Sequence, residues 1–285
     1  MSLSIRDLVR ILCAGGSFVS GVHEAGFYII AEDKNELSEL RWVGSQLASE
    51  TFIGSGVRHK SPAVYVTRDF NSPPQRSVFC VGENNALKCF TLGDEWQEIK
   101  LSNREEIILH PLSKLSGSVH GNDSLVFFDD KAGHLRGVRI QESGNWELLP
   151  FAPVDSVPGS PHFTQVRDNT VYLSYIHQDG CIYQRAIDVI TNNHTDRVVK
   201  GTEFANDPAT SFVLGILNDS DFQVIALTEK EQLVSIDNEG KVSPIGSINE
   251  KGVFTPSTSE ESNKPVIKTA SAAVSQATSG KKKRR

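Results

Sequence analysis

The stretch SVFCVGENNALKCF, residues 77 to 90, sets Cys80 and Cys89 on either side of Gly82-Glu83-Asn84-Asn85. Two thiols so placed could form a disulfide, hold a metal or serve as nucleophiles. If the hairpin turns on Asn84-Asn85, a favoured two-residue loop, the two cysteines face each other across it. The other cysteines, Cys13 and Cys181, are isolated, and there is no C-x-x-C and no Cys/His cluster at metal-ligand spacing. The eight histidines are scattered singly, with no H-x-H or H-x-x-x-H pair. The run GSG at 54 to 56 lacks the lysine and the strand context of a phosphate loop. No cofactor and no metal are therefore expected, and the two thiols are read as apolar filling of a hairpin.

Charge narrows the partners further. The chain of 285 residues carries a net charge of -6. Residues 255 to 285 hold seven Lys or Arg against two Glu, so the remainder stands at -11. An acidic body argues against nucleic-acid binding by the folded part, since phosphate recognition needs a basic surface. No apolar run is long enough for a membrane helix. The start, MSLSIRDLVRILCAGG, is interrupted by Arg6, Asp7 and Arg10, which argues against a signal peptide and for a cytoplasmic protein. The end, TPSTSEESNKPVIKTASAAVSQATSGKKKRR, is too poor in large apolar residues to fold and is expected to be a disordered basic tail. Its cluster Lys281 to Arg285 reads either as a nuclear address or as a solvated charged end.

The cysteine hairpin is one of five alike. FYIIAEDKNELSELRW (27 to 42), the stretch at 77, LVFFDDKAGHLRGVRI (125 to 140), YLSYIHQDGCIYQRAI (172 to 187) and QVIALTEKEQLVSID (223 to 237) share one layout, strand, polar turn, strand. Their starts are 50, 48, 47 and 51 residues apart. That is the length of a four-stranded propeller blade. A serine-led segment precedes each hairpin, at Ser17, Ser61, Ser116, Ser160 and Ser211, and supplies an inner strand. Short alternating runs at 95, 145 and 241 supply outer strands. The fold class is all-β, a propeller of five four-stranded antiparallel blades over residues 17 to 254, with six as the alternative count. Residues 3 to 13 would either close the ring as an outermost strand or form a short helix.

The stretches VFCVGENNALKCFTLGDEW (78 to 96), VFFDDKAGHLRGVRIQESGNW (126 to 146) and YIHQDGCIYQRAID (175 to 188) resemble blades of the fungal fucose-specific lectin propellers. The resemblance implies a fungal origin. It also implies sugar sites built from an arginine of a blade's second strand, a glutamate of its third and an aromatic residue of the neighbouring blade. Arg and Glu bridge ring hydroxyls with charge-assisted hydrogen bonds, and an aromatic face covers the apolar side of the sugar. Carried over, the arginine position falls on Phe27, Ser77, Leu125, Tyr172 and Gln223, none of them arginine. The glutamate position falls on Glu39, Cys89, Gly137, Gln184 and Ser235, so only the first blade keeps it. Arg76 lies one residue from its expected place, a step that turns a strand side chain to the other face.

The candidate carbohydrate-binding residues are accordingly Glu39, Arg41, Arg76, Gln184, Trp42, Trp96 and Trp146, with Arg185 as a further partner for Gln184. Each has an ordinary alternative, the tryptophans as packing between blades and the polar residues as solvated strand positions. A propeller glycosidase would need carboxylates near the central axis. The inner strands carry none, Asp69 being the nearest, so an enzyme is not expected. The reading is a lectin-like carbohydrate-binding propeller, weak or degenerate for fucose, with a glycan or glycoprotein as partner. The alternative is an intracellular interaction propeller that binds proteins and no sugar.

Overall fold

The computed structural model describes residues 18–20, 27–43, 46–68, 75–101, 105–152, 154, 156–204, 206–216, 222–249 and 253–257. The expected N-terminal closing segment lies outside them, as does the expected tail of 255 to 285 from 258 onward; its first residues, Thr255 and Pro256, are in a strand. Five antiparallel sheets form a five-bladed β-propeller, and no helix occurs among the described residues.

Blade one comprises β1 (Phe18–Ser20), β2 (Phe27–Asp33), β3 (Glu36–Val43) and β4 (Gln46–Ser55). Blade two comprises β5 (Ala63–Arg68), β6 (Gln75–Val81), β7 (Leu87–Leu92) and β8 (Trp96–Ile99). Blade three comprises β9 (Leu115–His120), β10 (Asp123–Asp129), β11 (Leu135–Ile140) and β12 (Trp146–Leu148). Blade four comprises β13 (His162–Arg167), β14 (Thr170–Ile176), β15 (Ile182–Asp188) and β16 (His194–Val198). Blade five comprises β17 (Ala209–Ile216), β18 (Phe222–Thr228), β19 (Gln232–Ile236), β20 (Val242–Ile248) and a fifth strand, β21 (Phe254–Pro256). That strand departs from the expected four. It returns at Asn249, whose N–H donates to the Val253 carbonyl at 3.0 Å and whose Oδ1 accepts the Val253 N–H at 2.9 Å.

Strands are laid down in chain order from the inside out, and the first strands of successive blades, β1, β5, β9, β13 and β17, pack side by side. The middle strand β10 is covered on both faces by blades two and four, which is why its sequence is apolar at nearly every position instead of alternating. Leu125 to Phe128 in β10 are all at most 2% exposed. The four seams between successive blades from one to five each have their own core. Tyr65, Val78 and Cys80 meet Ile30 and Leu37 between blades one and two. Phe79 and Cys89 meet Val126 and Val138 between blades two and three.

Turn chemistry decides which face each side chain takes. The β6–β7 loop is not a two-residue turn. Gly82 N–H donates to the Ala86 carbonyl at 2.8 Å and Asn85 N–H to the Gly82 carbonyl at 2.9 Å, with Asn85 left-handed at φ 62. This is a three-residue hairpin loop closed by a left-handed residue. Cys80 therefore pairs with Lys88 and Cys89 with Phe79. The expectation that the cysteines face each other is overturned: the extra loop residue turns them to opposite faces, where each is buried as a free thiol in a different seam. Burial pushes the Cys89 thiol up to about 12 and that of Cys80 higher still.

Candidate functional site

The seam between blades one and two collects charged and aromatic groups. In blade one, Tyr28 pairs with Arg41 and Ile30 with Glu39, so these four residues share the face that meets blade two. In blade two, Tyr65 pairs with Val78 and Thr67 with Arg76, on the face that meets blade one. Glu39, 5% exposed, receives at one oxygen both the Tyr65 hydroxyl, at 2.5 Å, and Arg76 Nη1, at 2.7 Å. The carboxylate and its desolvated surroundings hold the Tyr65 hydroxyl far above the usual phenol range, burial being the larger cause. The Arg76 guanidinium lies 4.5 Å from the centre of the Tyr28 ring and 6.0 Å from that of Trp96. The Nε1 of Trp96 is buried without a hydrogen-bond partner among the described residues.

The Glu39 carboxylate, the Arg76 guanidinium and three aromatic rings thus converge at one seam. Among the described residues both hydrogen bonds to Glu39 end on Oε1, and the guanidinium uses one nitrogen for it. The cluster can still accept a hydroxyl hydrogen at Oε2, donate from the remaining guanidinium N–H groups and stack an apolar ring face. Arg41 is half-buried on the same face.

The other sequence candidates lie elsewhere. Trp42 pairs with Phe27 and so takes the face of blade one opposite to Glu39. Trp146 packs against the core between blades two and three. Gln184 is 1% exposed and faces blade five, its Oε1 accepting from Arg197 Nε at 2.9 Å and its Nε2 donating to Ser174 at 3.4 Å. Arg185 does not join it. One step along the strand, it faces the other way and grips Asp196 with two hydrogen bonds of 2.7 Å. The partner of Gln184 is Arg197, whose guanidinium lies over Phe222.

Tyr28, Tyr65 and Arg197 were not singled out from the sequence. Two of them follow from strand pairing: Tyr28 stands opposite Arg41 and Arg197 opposite Gln184. Several other positions singled out by the resemblance make internal contacts. Gln223 Nε2 donates to Ser235 Oγ at 2.9 Å, and Ser77 shares a 3.1 Å hydrogen bond with Thr91. A Cβ on Gly137 would lie 2.7 Å from the Phe127 ring and 2.8 Å from Leu149, leaving no room for a glutamate. Among the described residues no three His, Cys, Asp or Glu side chains are grouped to hold a metal, and no helix is long and apolar enough to cross a membrane.

Neither a protein-family model nor a curated protein sequence matches the chain. Solved structures do. The fucose-specific lectin from Aleuria aurantia superposes with a TM-score of 0.60 at 18% identity, over 83% of this chain and 79% of the lectin. AofleA from Arthrobotrys oligospora gives 0.60 at 12% identity, over 84% of this chain and 77% of that one. SapL1 lectin, solved with α-methyl fucoside, gives 0.56 at 13% identity, over 82% and 78%. The structural neighbours are thus fungal fucose-binding lectin propellers. At these identities the likeness is one of fold. The count differs: Aleuria aurantia lectin is six-bladed, and five blades are formed by the described residues of this chain.

Proposed function

We propose that the chain is a lectin-like propeller that binds a neutral monosaccharide, α-L-fucoside first among them, weakly at the seam of blades one and two. The carrying observation is the Glu39–Arg76 pair at 2.7 Å, with its guanidinium against Tyr28 and Trp96. The solved neighbours, fucose-binding propellers, support the choice of ligand. A glycan or glycoprotein is the corresponding partner. Binding is weak because Oε1 of Glu39 already holds two internal donors. The few charge-assisted hydrogen bonds left are worth about 1.5 to 3 kcal/mol each before ordering costs, so affinity falls near millimolar. Glycoside hydrolysis needs two carboxylates across the bond; the second carboxylate on this face, Glu32, is already taken by the Asn35 and Lys60 N–H groups at 2.9 and 2.6 Å, which supports binding without turnover.

Calorimetric or NMR titration of methyl α-L-fucoside, mannose and galactose tests this. Wild type should bind the fucoside near millimolar, and Glu39→Gln and Arg76→Met should each weaken it at least tenfold. Tight binding untouched by both substitutions would place the site elsewhere, and no binding of any sugar would leave the interaction propeller.

A further inference from the structure

The opposite face of blade two carries a second cleft, built on a different arginine. Arg68, the last residue of β5, pairs with Gln75 at the start of β6, and both turn toward blade three. Arg68 is 8% exposed. Its Nη1 donates to Gln75 Oε1 at 2.9 Å and its Nη2 to Ser124 Oγ at 3.0 Å. Its Nε is buried without a partner among the described residues, and none of its hydrogen bonds ends on a carboxylate. A guanidinium does not lose its charge in a protein, and a buried charge with only neutral partners is costly.

Arg68 lines a cleft of about 250 Å³. Ser77, Thr91 and Gln141 give it neutral hydrogen-bonding groups, and Ile99 and Ile140 give it an apolar wall. One carboxylate, Glu142, stands exposed at the rim and accepts from Gln75 Nε2 at 3.4 Å. The volume is below that of ordinary drug-sized pockets, which suits a ligand of monosaccharide size. Arg68 can balance one negative charge in a planar fork, and Glu142 disfavours a second.

We infer that this cleft binds a small hydroxylated monocarboxylate, with the carboxylate on Arg68 and the hydroxyls on Ser77, Thr91 and Gln141. The inference does not rest on the Glu39 site, which lies on the other face of the blade and takes a neutral sugar.

Saturation-transfer NMR on the full chain with D-glucuronate, D-glucose, acetate and inorganic phosphate decides it. Glucuronate should bind in the millimolar range and survive Glu39→Gln, whereas any glucose signal, which belongs to the Glu39 site, should be unmoved by Arg68→Met. Acetate should bind more weakly than glucuronate, which separates a sugar acid from a bare carboxylate. Arg68→Met should abolish glucuronate binding. Should that variant fail to fold, Glu142→Gln on the exposed rim keeps the test: removing a like charge should tighten glucuronate roughly twofold to fivefold. No glucuronate signal up to about 50 mM, beyond any useful affinity, would overturn the inference. So would phosphate binding more tightly than glucuronate, or glucuronate binding unmoved by Glu142→Gln.

Discussion

Arg76 reaches from blade two to Oε1 of Glu39 in blade one at 2.7 Å, so a single ion pair spans two repeats of the chain. Glu39 is nearly enclosed and the arginine side chain is 19% exposed. Removing one partner leaves the other desolvated and unpaired, whereas removing both does not. Arg76→Met should cost on the order of 2 to 4 kcal/mol of unfolding free energy, because it strands the Glu39 carboxylate. Glu39→Gln should cost less, and the double variant less than the sum. Denaturant melts of the four proteins check this, and additive losses would mean the pair is not coupled.

Gly137 of β11 leaves no room for a side chain. Because a Cβ there would meet the rings and methyls of Phe127 and Leu149 under 3 Å, Gly137→Ala should destabilise by about 1 to 3 kcal/mol through overpacking. Gly137→Glu should not fold. The double variant Gly137→Ala, Phe127→Leu should recover part of the loss, which a backbone effect of glycine alone would not show.

Cys80 and Cys89 occupy different seams, and burial disfavours both thiolates. Thiolates, not thiols, react. In native protein neither should be alkylated by iodoacetamide over hours at pH 8, and oxidation should not join them. Mass spectrometry after labelling should find the half-buried Cys181 modified before either of them. A Cys80–Cys89 crosslink in folded protein would contradict the register.

His162 lies in an enclosed chain of hydrogen bonds. Its Nε2 donates to the Lys114 carbonyl at 3.3 Å, so its Nδ1 accepts from the Ser116 hydroxyl at 2.7 Å, which in turn accepts from Thr164. Burial holds the imidazole down at about 4 against an ordinary 6.5. Between those values the unfolded chain binds more protons than the folded one, so stability falls as pH drops through the window, by about 3 kcal/mol in all. Asp129, raised by burial to about 6 from 3.8, acts in the other direction: there the folded chain binds more protons, and stability falls as pH rises from 4 to 6. Melts from pH 4 to 7 should show a steeper acid loss in Asp129→Asn and a flattened one in His162→Gln. Identical profiles for both variants and wild type would refute the assignment.

The propeller was legible because a blade repeats every fifty residues or so, and five apolar hairpins at that period leave few other arrangements. The site was legible only by parts. Glu39, Arg76 and Trp96 were all picked out by type, yet nothing in their spacing joined residues of different blades. Arg76 stood one position from a place on the far face, and that step is what aims it at Glu39. Cys89 shows the same physics in reverse. One additional loop residue at Asn85 reversed the face assigned to it, and loop length at a Gly-Glu-Asn-Asn turn is not fixed by residue type.

Because Glu39 and Arg76 belong to neighbouring blades, inheritance of a site here does not follow the repeat as a unit. Duplicating or swapping one blade transplants the left half of one site and the right half of the next, never a whole one. Each substitution in blade two is answerable to two clefts at once, Arg76 to one side and Arg68 to the other. An engineer wishing to move the proposed site should therefore cut through the middle of two blades and carry their shared junction, and a chain that loses blade two loses both clefts while creating one new, unselected pairing.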